Sequence, residues 1–156
     1  MLKVLGKIDE IDMNILKELI NDASLSVPKL SKKINVNSSV VYSRIKRLTK
    51  RGFIKRFTVE VNEDLLGYNV TAIIGANLNS KYRKDAIDEV LGLESVREVT
   101  EVTGRFDVMI SVRSKTLDGL HDVIANKIAL INGITHTETF VEMAQKRTEP
   151  KYVVRS

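Results

Sequence analysis

Between Asp22 and Glu60 lie 37 residues without an aspartate or glutamate, in a chain of 156 residues that holds 20 acids in all. An even spread would put 37 × 20/156, about 4.7, acids there. A helix in this stretch has no Glu–Lys pairs four apart to support it. It must be held by packing along an apolar stripe, and its outer face is cationic. The charge is lopsided: residues 1–60 hold 13 Lys/Arg against 6 Asp/Glu, net +7, and residues 61–156 hold 12 against 14, net −2. A basic end on a slightly acidic body is the charge plan of a nucleic-acid binder with a separate second function. A merely solvated basic face is the alternative on charge alone.

The basic part reads as three helices. Ile8, Ile11, Ile15, Leu16, Leu19 and Ile20 are spaced for one apolar face over Asp9 to about Ala23, with Asp9 as cap and Asp12 completing a variant capping box. A short second helix starts after Ser26, with Pro28 in its first turn, and ends near Ile34. Asn35, Val36 and Asn37 make a turn, and a third helix runs Ser38 to Arg51, capped by Asn37 and closed by Gly52. In it Val41, Ile45 and Leu48 form the buried stripe, while Ser39, Tyr42, Ser43, Lys46, Arg47 and Lys50 point away. Lysine, arginine and short polar side chains on one helix suit base edges in a major groove about 12 Å wide. Lys29, Lys32 and Lys33 of the second helix would then lie near phosphates. The alternating segment FIKRFTVEV, residues 53–61, is expected to be a strand, a wing or connector.

The second half reads strand, helix, strand, strand, helix, strand. Expected are a strand Val70 to Leu78, a helix capped by Ser80 that carries Tyr82, Ala86, Ile87, Val90 and Leu91, and a hairpin of Val96 to Thr103 and Phe106 to Arg113 turning at Gly104 and Arg105. A helix of about Leu117 to Ile131, burying Leu117, Leu120, Ile124, Ile128 and Ile131, and a strand Ile134 to Met143 complete a ferredoxin-like βαββαβ plan. If Phe106, Val108, Ile110 and Val112 face the helices, Met109 and Ile73 fall on the uncovered face. Apolar residues there suggest self-association, at least as a homodimer.

Cysteine is absent, which excludes disulfides, thiolate metal sites and cysteine nucleophiles. No apolar run approaches the roughly 18 residues of a membrane span, and no secretory segment opens the chain, so a cytoplasmic protein with no membrane role is expected. His121 and His136 stand 15 apart, His121 on the apolar side of its helix; no metal-ligand motif or glycine-rich phosphate loop accompanies them. Asp88 with Glu89 and Glu98 with Glu101 read as solvated faces. Neither an enzyme nor a cofactor is expected.

The stretches IDEIDMNIL, KLSKKINVNSSVVYSRIKRLTKRGFIKRF, LGY at 66–68 and VTGRFDVMISV at 102–112 together resemble the leucine-responsive regulatory protein and asparagine-synthetase regulator (Lrp/AsnC) family of transcription regulators. The resemblance spans about Ile8 to Met143. It departs where the family often has an arginine near Leu25 and a serine at Asn37; asparagine caps equally well. The resemblance implies an α+β chain: a winged helix-turn-helix domain over 1–60, a connector 61–69, a ferredoxin-like ligand-sensing and oligomerisation (RAM) domain over 70–145, and a tail 146–156. Asn37 to Arg51 becomes the recognition helix, and the expected DNA contacts are Lys29, Ser38, Ser39, Tyr42, Ser43, Arg44, Lys46, Arg47 and Lys50. Implied partners are double-stranded DNA, a second copy, assemblies such as octamers, and an amino-acid effector acting on amino-acid metabolism and the regulator's own gene.

The VTGRFD hairpin is the candidate effector contact. Gly104 leaves amides open to a carboxylate and Asp107 could hold an ammonium group, with Thr103, Arg105, Thr135, Thr137 and Glu138 nearby. Alternatively Gly104 only permits a turn and Asp107 caps a strand. Some proteins similar to the family are haem-synthesis decarboxylases; that reading, or an amino-acid sensor acting by contact, is the alternative to a DNA regulator. The tail's Tyr152, Val153 and Val154 could dock on a neighbouring subunit.

Overall fold

The computed structural model describes residues 7–148, Pro150 and Tyr152. The chain divides into two compact units. Residues up to Glu60, with the described tail residues from Thr148 on, form one; Val61–Arg147 form the other, so the 61–69 segment belongs to the second. Val153 and Val154 lie outside the described residues.

The first unit is three helices, α1 (Glu10–Asn21), α2 (Val27–Ile34) and α3 (Ser38–Lys50). Its core is Ile15 and Leu19 of α1, Leu30 of α2, and Val41 and Leu48 of α3. Ile45 completes the α3 stripe, half-buried, whereas Ile20, expected on the apolar face of α1, is exposed. The capping box forms: Asp9 Oδ1 accepts from the Asp12 amide at 2.9 Å, and Asp12 Oδ2 accepts from the Asp9 amide at 3.3 Å. Ser26 occupies the cap position of α2, but its hydroxyl makes no capping bond. Helix α2 stops at Asn35 in the left-handed region, φ 55°. Beyond α3 the Gly52 amide donates to the Thr49 carbonyl and the Phe53 amide to that of Leu48, the paired bonds of a Schellman end.

The expected wing strand is not formed: no strand is found among residues 51–69. Alternation gives 53–61 strand propensity, but a strand exists only on a ladder, and no segment among the described residues pairs with it.

In the second unit β1 (Val70–Leu78), β2 (Val96–Glu101), β3 (Val108–Ser114) and β4 (Ile134–Val141) form an antiparallel sheet in the order β2-β3-β1-β4. Helices α4 (Arg83–Leu91) and α5 (Leu117–Asn126) are the crossovers of the split βαβ plan. Ala72, Ile74 and Ala76 of β1 and Val108, Ile110 and Val112 of β3 pack with Ala86, Val90, Leu120, Val123, Ile128 and Ile131. Several details differ from expectation. Asn79, not Ser80, caps the turn of 3-10 helix that leads into α4, its side chain accepting from the Lys81 amide. Helix α5 ends at Asn126, with a separate 3-10 turn at Ile128–Leu130, and Leu117, Leu91 and His121 are exposed.

The hairpin differs most. Its strands end at Glu101 and begin at Val108, so six residues, not two, connect them, closed by Val102 N–H donating to the Asp107 carbonyl. Phe106 does not join the helix-covered core. Its ring lies over Gly75 on the opposite face, where an added Cβ would sit 2.5 Å from it, and meets Phe140 edge-on at 6.3 Å. Only glycine at 75 leaves that space. The six-residue loop breaks the alternation that would have carried Phe106 to the same face as Val108.

Candidate functional site

Helix α3 meets α1 through charge. Asp12, in the first turn of α1, is 0 % exposed and accepts from Arg47 Nη2 at 2.7 Å and from Arg44 Nη1 at 3.2 Å; Arg44 Nη1 also reaches Asp9. No buried side-chain nitrogen or oxygen lacks a partner among the described residues. The amide of Asp12 and then the Arg44 guanidinium hold the Asp9 carboxyl below the usual range, and the hydrogen bond to Asp9 raises Arg44 in turn. Both arginines expected to contact DNA are therefore engaged by acids of α1, Arg44 half-buried and Arg47 exposed.

The other α3 candidates lie elsewhere on the helix. Ser39, Tyr42, Ser43, Lys46 and Lys50 are exposed and Ser38 half-buried. The Lys46 ammonium sits 5.0 Å from the centre of the Tyr42 ring, and the Ser39 hydroxyl donates to the capping Asn37 Oδ1 at 2.8 Å. On α2, Lys29 and Lys32 are exposed, and Lys33 pairs with Glu18 at 2.9 Å. A largely apolar cavity of about 740 Å3 between α1 and residues 53–60 coincides with none of these positions.

The hairpin candidates form a second cluster. Thr103, Gly104 (φ 135°) and Arg105 are exposed in the loop. Arg105 pairs with Glu138 of β4 at 2.6 Å, its guanidinium 5.1 Å from the centre of the Phe106 ring, and Asn77 Nδ2 donates to the Arg105 carbonyl at 2.8 Å. The Thr135 hydroxyl donates to the Asn77 carbonyl at 3.2 Å, while Thr137, opposite Ala76, shares the helix-covered face. Asp107 accepts from the Leu78 amide at 2.8 Å and faces Arg83 at 3.5 Å; that amide first, then Arg83, lowers its pKa. Asp107 thus ties the ends of β1 and β3 together. An ammonium group there would compete with Arg83, whose Nε also donates to Glu101 at 2.7 Å.

Sequence reasoning missed Asp12 as the partner of Arg44 and Arg47, and missed Asn77 and Arg83 at the hairpin. A carboxylate on the inner side of α1, next to Met13 and Ile15, was the available signal for the first. Nothing local marks the second pair, which lie 28 and 24 residues from Arg105 and Asp107. Among the described residues no group of three or more His, Asp or Glu side chains could hold a metal ion. Asp88, Glu89, Glu98 and Glu101 are all exposed, and no helix of the described residues is long and apolar enough to cross a membrane.

Comparison with known proteins follows the same division. Residues 8–55 match the winged helix-turn-helix DNA-binding family, and residues 71–151 match the Lrp/AsnC ligand binding domain. Regulatory protein AsnC of Haemophilus influenzae is 35% identical over 139 residues, covering 87% of this chain and 91% of that protein. The solved structure of Escherichia coli AsnC superposes with a TM-score of 0.86 at 29% identity, over 92% of this chain and 97% of that one. A transcriptional regulator of Neisseria meningitidis, solved as an L-methionine complex, shares the fold, with a TM-score of 0.87 over 91% of this chain and 94% of that one at 16% identity. With a helix-turn-helix unit and a ligand-binding unit on one chain, the protein belongs to the Lrp/AsnC family of transcription regulators.

Proposed function

We propose that this regulator binds specific double-stranded DNA through the outer pole of α3 and is modulated by an amino-acid effector at the β2–β3 hairpin, as a cytoplasmic protein with no enzymatic activity of its own. The observation that carries the reading is α3 itself: a helix whose buried side packs on α1 and α2, and whose outer side presents Ser39, Ser43, Lys46 and Lys50 with no acid among them. Ser38 at the start of α3 and Lys29 on α2 are assigned to the phosphate backbone. Autoregulation and control of amino-acid metabolism are part of the proposal.

The effector assignment draws on the amino-acid complex of the Neisseria relative and on the amides of three exposed residues, Thr103, Gly104 and Arg105. An α-carboxylate would take those amides, and Glu138, released from Arg105, would take the ammonium group. A twofold dimer is assigned to the open sheet face, where Ile73, Met109, Phe106 and Phe140 share one side and Phe140 is 44% exposed. Larger rings such as octamers extend that dimer.

Anisotropy titration of the chain's own upstream DNA against a random duplex, at two salt concentrations, tests the DNA assignment. A preference of about a thousandfold or more is expected. Equal affinity for both duplexes would overturn it. Calorimetric titration of the twenty amino acids tests the effector assignment, and no heat from any of them would remove it. Monomers at micromolar concentration in light scattering would refute the dimer.

A further inference from the structure

We propose that Arg44 and Arg47 read no bases and act as positioning residues that fix α3 against α1 through Asp12, while sequence is read by Ser43 and Lys46, with Lys46 taking a guanine. This rests on the DNA-binding reading above and divides the recognition helix in two. At 100° per residue, Ser39, Ser43, Lys46 and Lys50, spaced by four, three and four, centre on the pole opposite Val41, Ile45 and Leu48. Arg44 lies three residues after Val41 and four before Leu48, beside the buried stripe and towards α1.

Arginine is the commonest reader of guanine because its fork matches O6 and N7 together. Here the fork of Arg47 is turned to Asp12 Oδ2 at 2.7 Å, and Arg44 is shared between Asp9 and Asp12. Swinging either to a base strips a charged hydrogen bond from Asp12, a carboxylate that is 0 % exposed with both arginines in place. Among the described residues, by contrast, the Lys46 ammonium has no ion pair and the Ser43 hydroxyl no hydrogen bond. Stacking on Tyr42 holds Lys46 along the outer face, leaving its donors for the two guanine acceptors. Ser43, one turn nearer the amino end of α3, can donate to or accept from the neighbouring base pair.

Selection from a randomised duplex pool with the full-length chain tests this. Wild type, Lys46→Ala, Ser43→Ala, Arg44→Lys, Arg47→Ala and Arg47→Lys are compared, and affinity for the selected and a random duplex is followed against salt. Lys46→Ala should lose roughly tenfold discrimination for guanine at one position of each half-site. Arg47→Ala should weaken selected and random duplexes by the same factor, with base preference and salt slope unchanged, and Arg47→Lys should recover part of that affinity. Arg44→Lys should leave the selected sequence unaltered. A changed base preference in either arginine variant, or a salt slope reduced by about 0.9 in Arg47→Ala, would show a base or phosphate contact and overturn the assignment. So would a guanine preference that survives Lys46→Ala. Should Arg47→Ala lose its helical circular dichroism, Arg47→Gln carries the same comparison. A wild type without any preference refutes the DNA reading itself, an outcome separable from a preference that belongs to the wrong residues.

Discussion

The two units solve the same packing problem with different means. The sensing unit buries twelve apolar residues between one sheet face and two helices, and its one buried polar side chain is Ser114. Among the described residues the DNA-binding unit has a core cluster of five buried apolar residues and adds a fully buried carboxylate, Asp12, joined to two arginines of α3. A small three-helix unit has little apolar area with which to fix the rotation of one helix on another, and an ion pair with defined geometry supplies it. A four-stranded sheet is oriented by its ladders and can leave one face open for other tasks.

Truncation in the large core should have the greatest effect. Ile74→Ala is expected to cost about 4 kcal/mol and to raise hydrogen exchange across β1, β3 and β4 while α1 to α3 keep their protection. Loss of protection in both units together would show that the two cores do not hold independently. Asp12→Asn should cost the first unit about 2–3 kcal/mol, below the figure for a wholly buried pair because both arginines reach solvent, and the same exchange experiment should show α1 and α3 loosening while the sheet is unchanged. If the first unit kept its stability, the buried carboxylate would not be what orients α3.

Gly75→Ala acts on the open face of the sheet. A methyl group 2.5 Å from the Phe106 ring must displace it, at about 1–2 kcal/mol, and dimerisation measured by light scattering should weaken if that face is the interface. Acid acts on both units through lowered carboxylates. Asp9 and Asp107 have folded pKa values below their unfolded ones, so their contribution is complete above about pH 4 and is lost as pH falls through the folded values. Urea midpoints between pH 2 and pH 6 should flatten for the first unit in Asp9→Asn and for the second in Asp107→Asn. The opposite pairing of variant and unit would contradict the assignment. The smallest effect is expected of Lys33→Met, whose solvent-exposed pair with Glu18 should leave the melting temperature unchanged in thermal melts.

Much of the fold and of α3 is legible in local chemistry. The capping box of Asp9 and Asp12, the Asn35–Asn37 turn and the stripe of Val41, Ile45 and Leu48 are short-range patterns, and the structure has them where the spacing puts them. What the sequence does not disclose depends on partners far along the chain. Arg44 and Arg47 share α3 with free cations and differ only in facing an acid 32 and 35 residues earlier. Residues 53–61 alternate like a strand, but alternation does not supply the neighbour a strand needs. Phe106 continues the periodicity of Val108, Ile110 and Val112, and only the loop before β3 and the bare backbone at Gly75 send it to the other face.

The proposed DNA contact lies on the outer pole of α3 and not on the sheet. Two aromatic residues report on the two surfaces, Tyr42 at 53% exposure on α3 and Phe140, 44% exposed in a single protomer, on the sheet face assigned to the dimer. Hydroxyl-radical footprinting with and without a saturating specific duplex compares them directly. Protection of Tyr42, with Phe140 oxidised to the same extent in both samples, is the predicted result. Protection of Phe140 by DNA while Tyr42 reacts as before would contradict it.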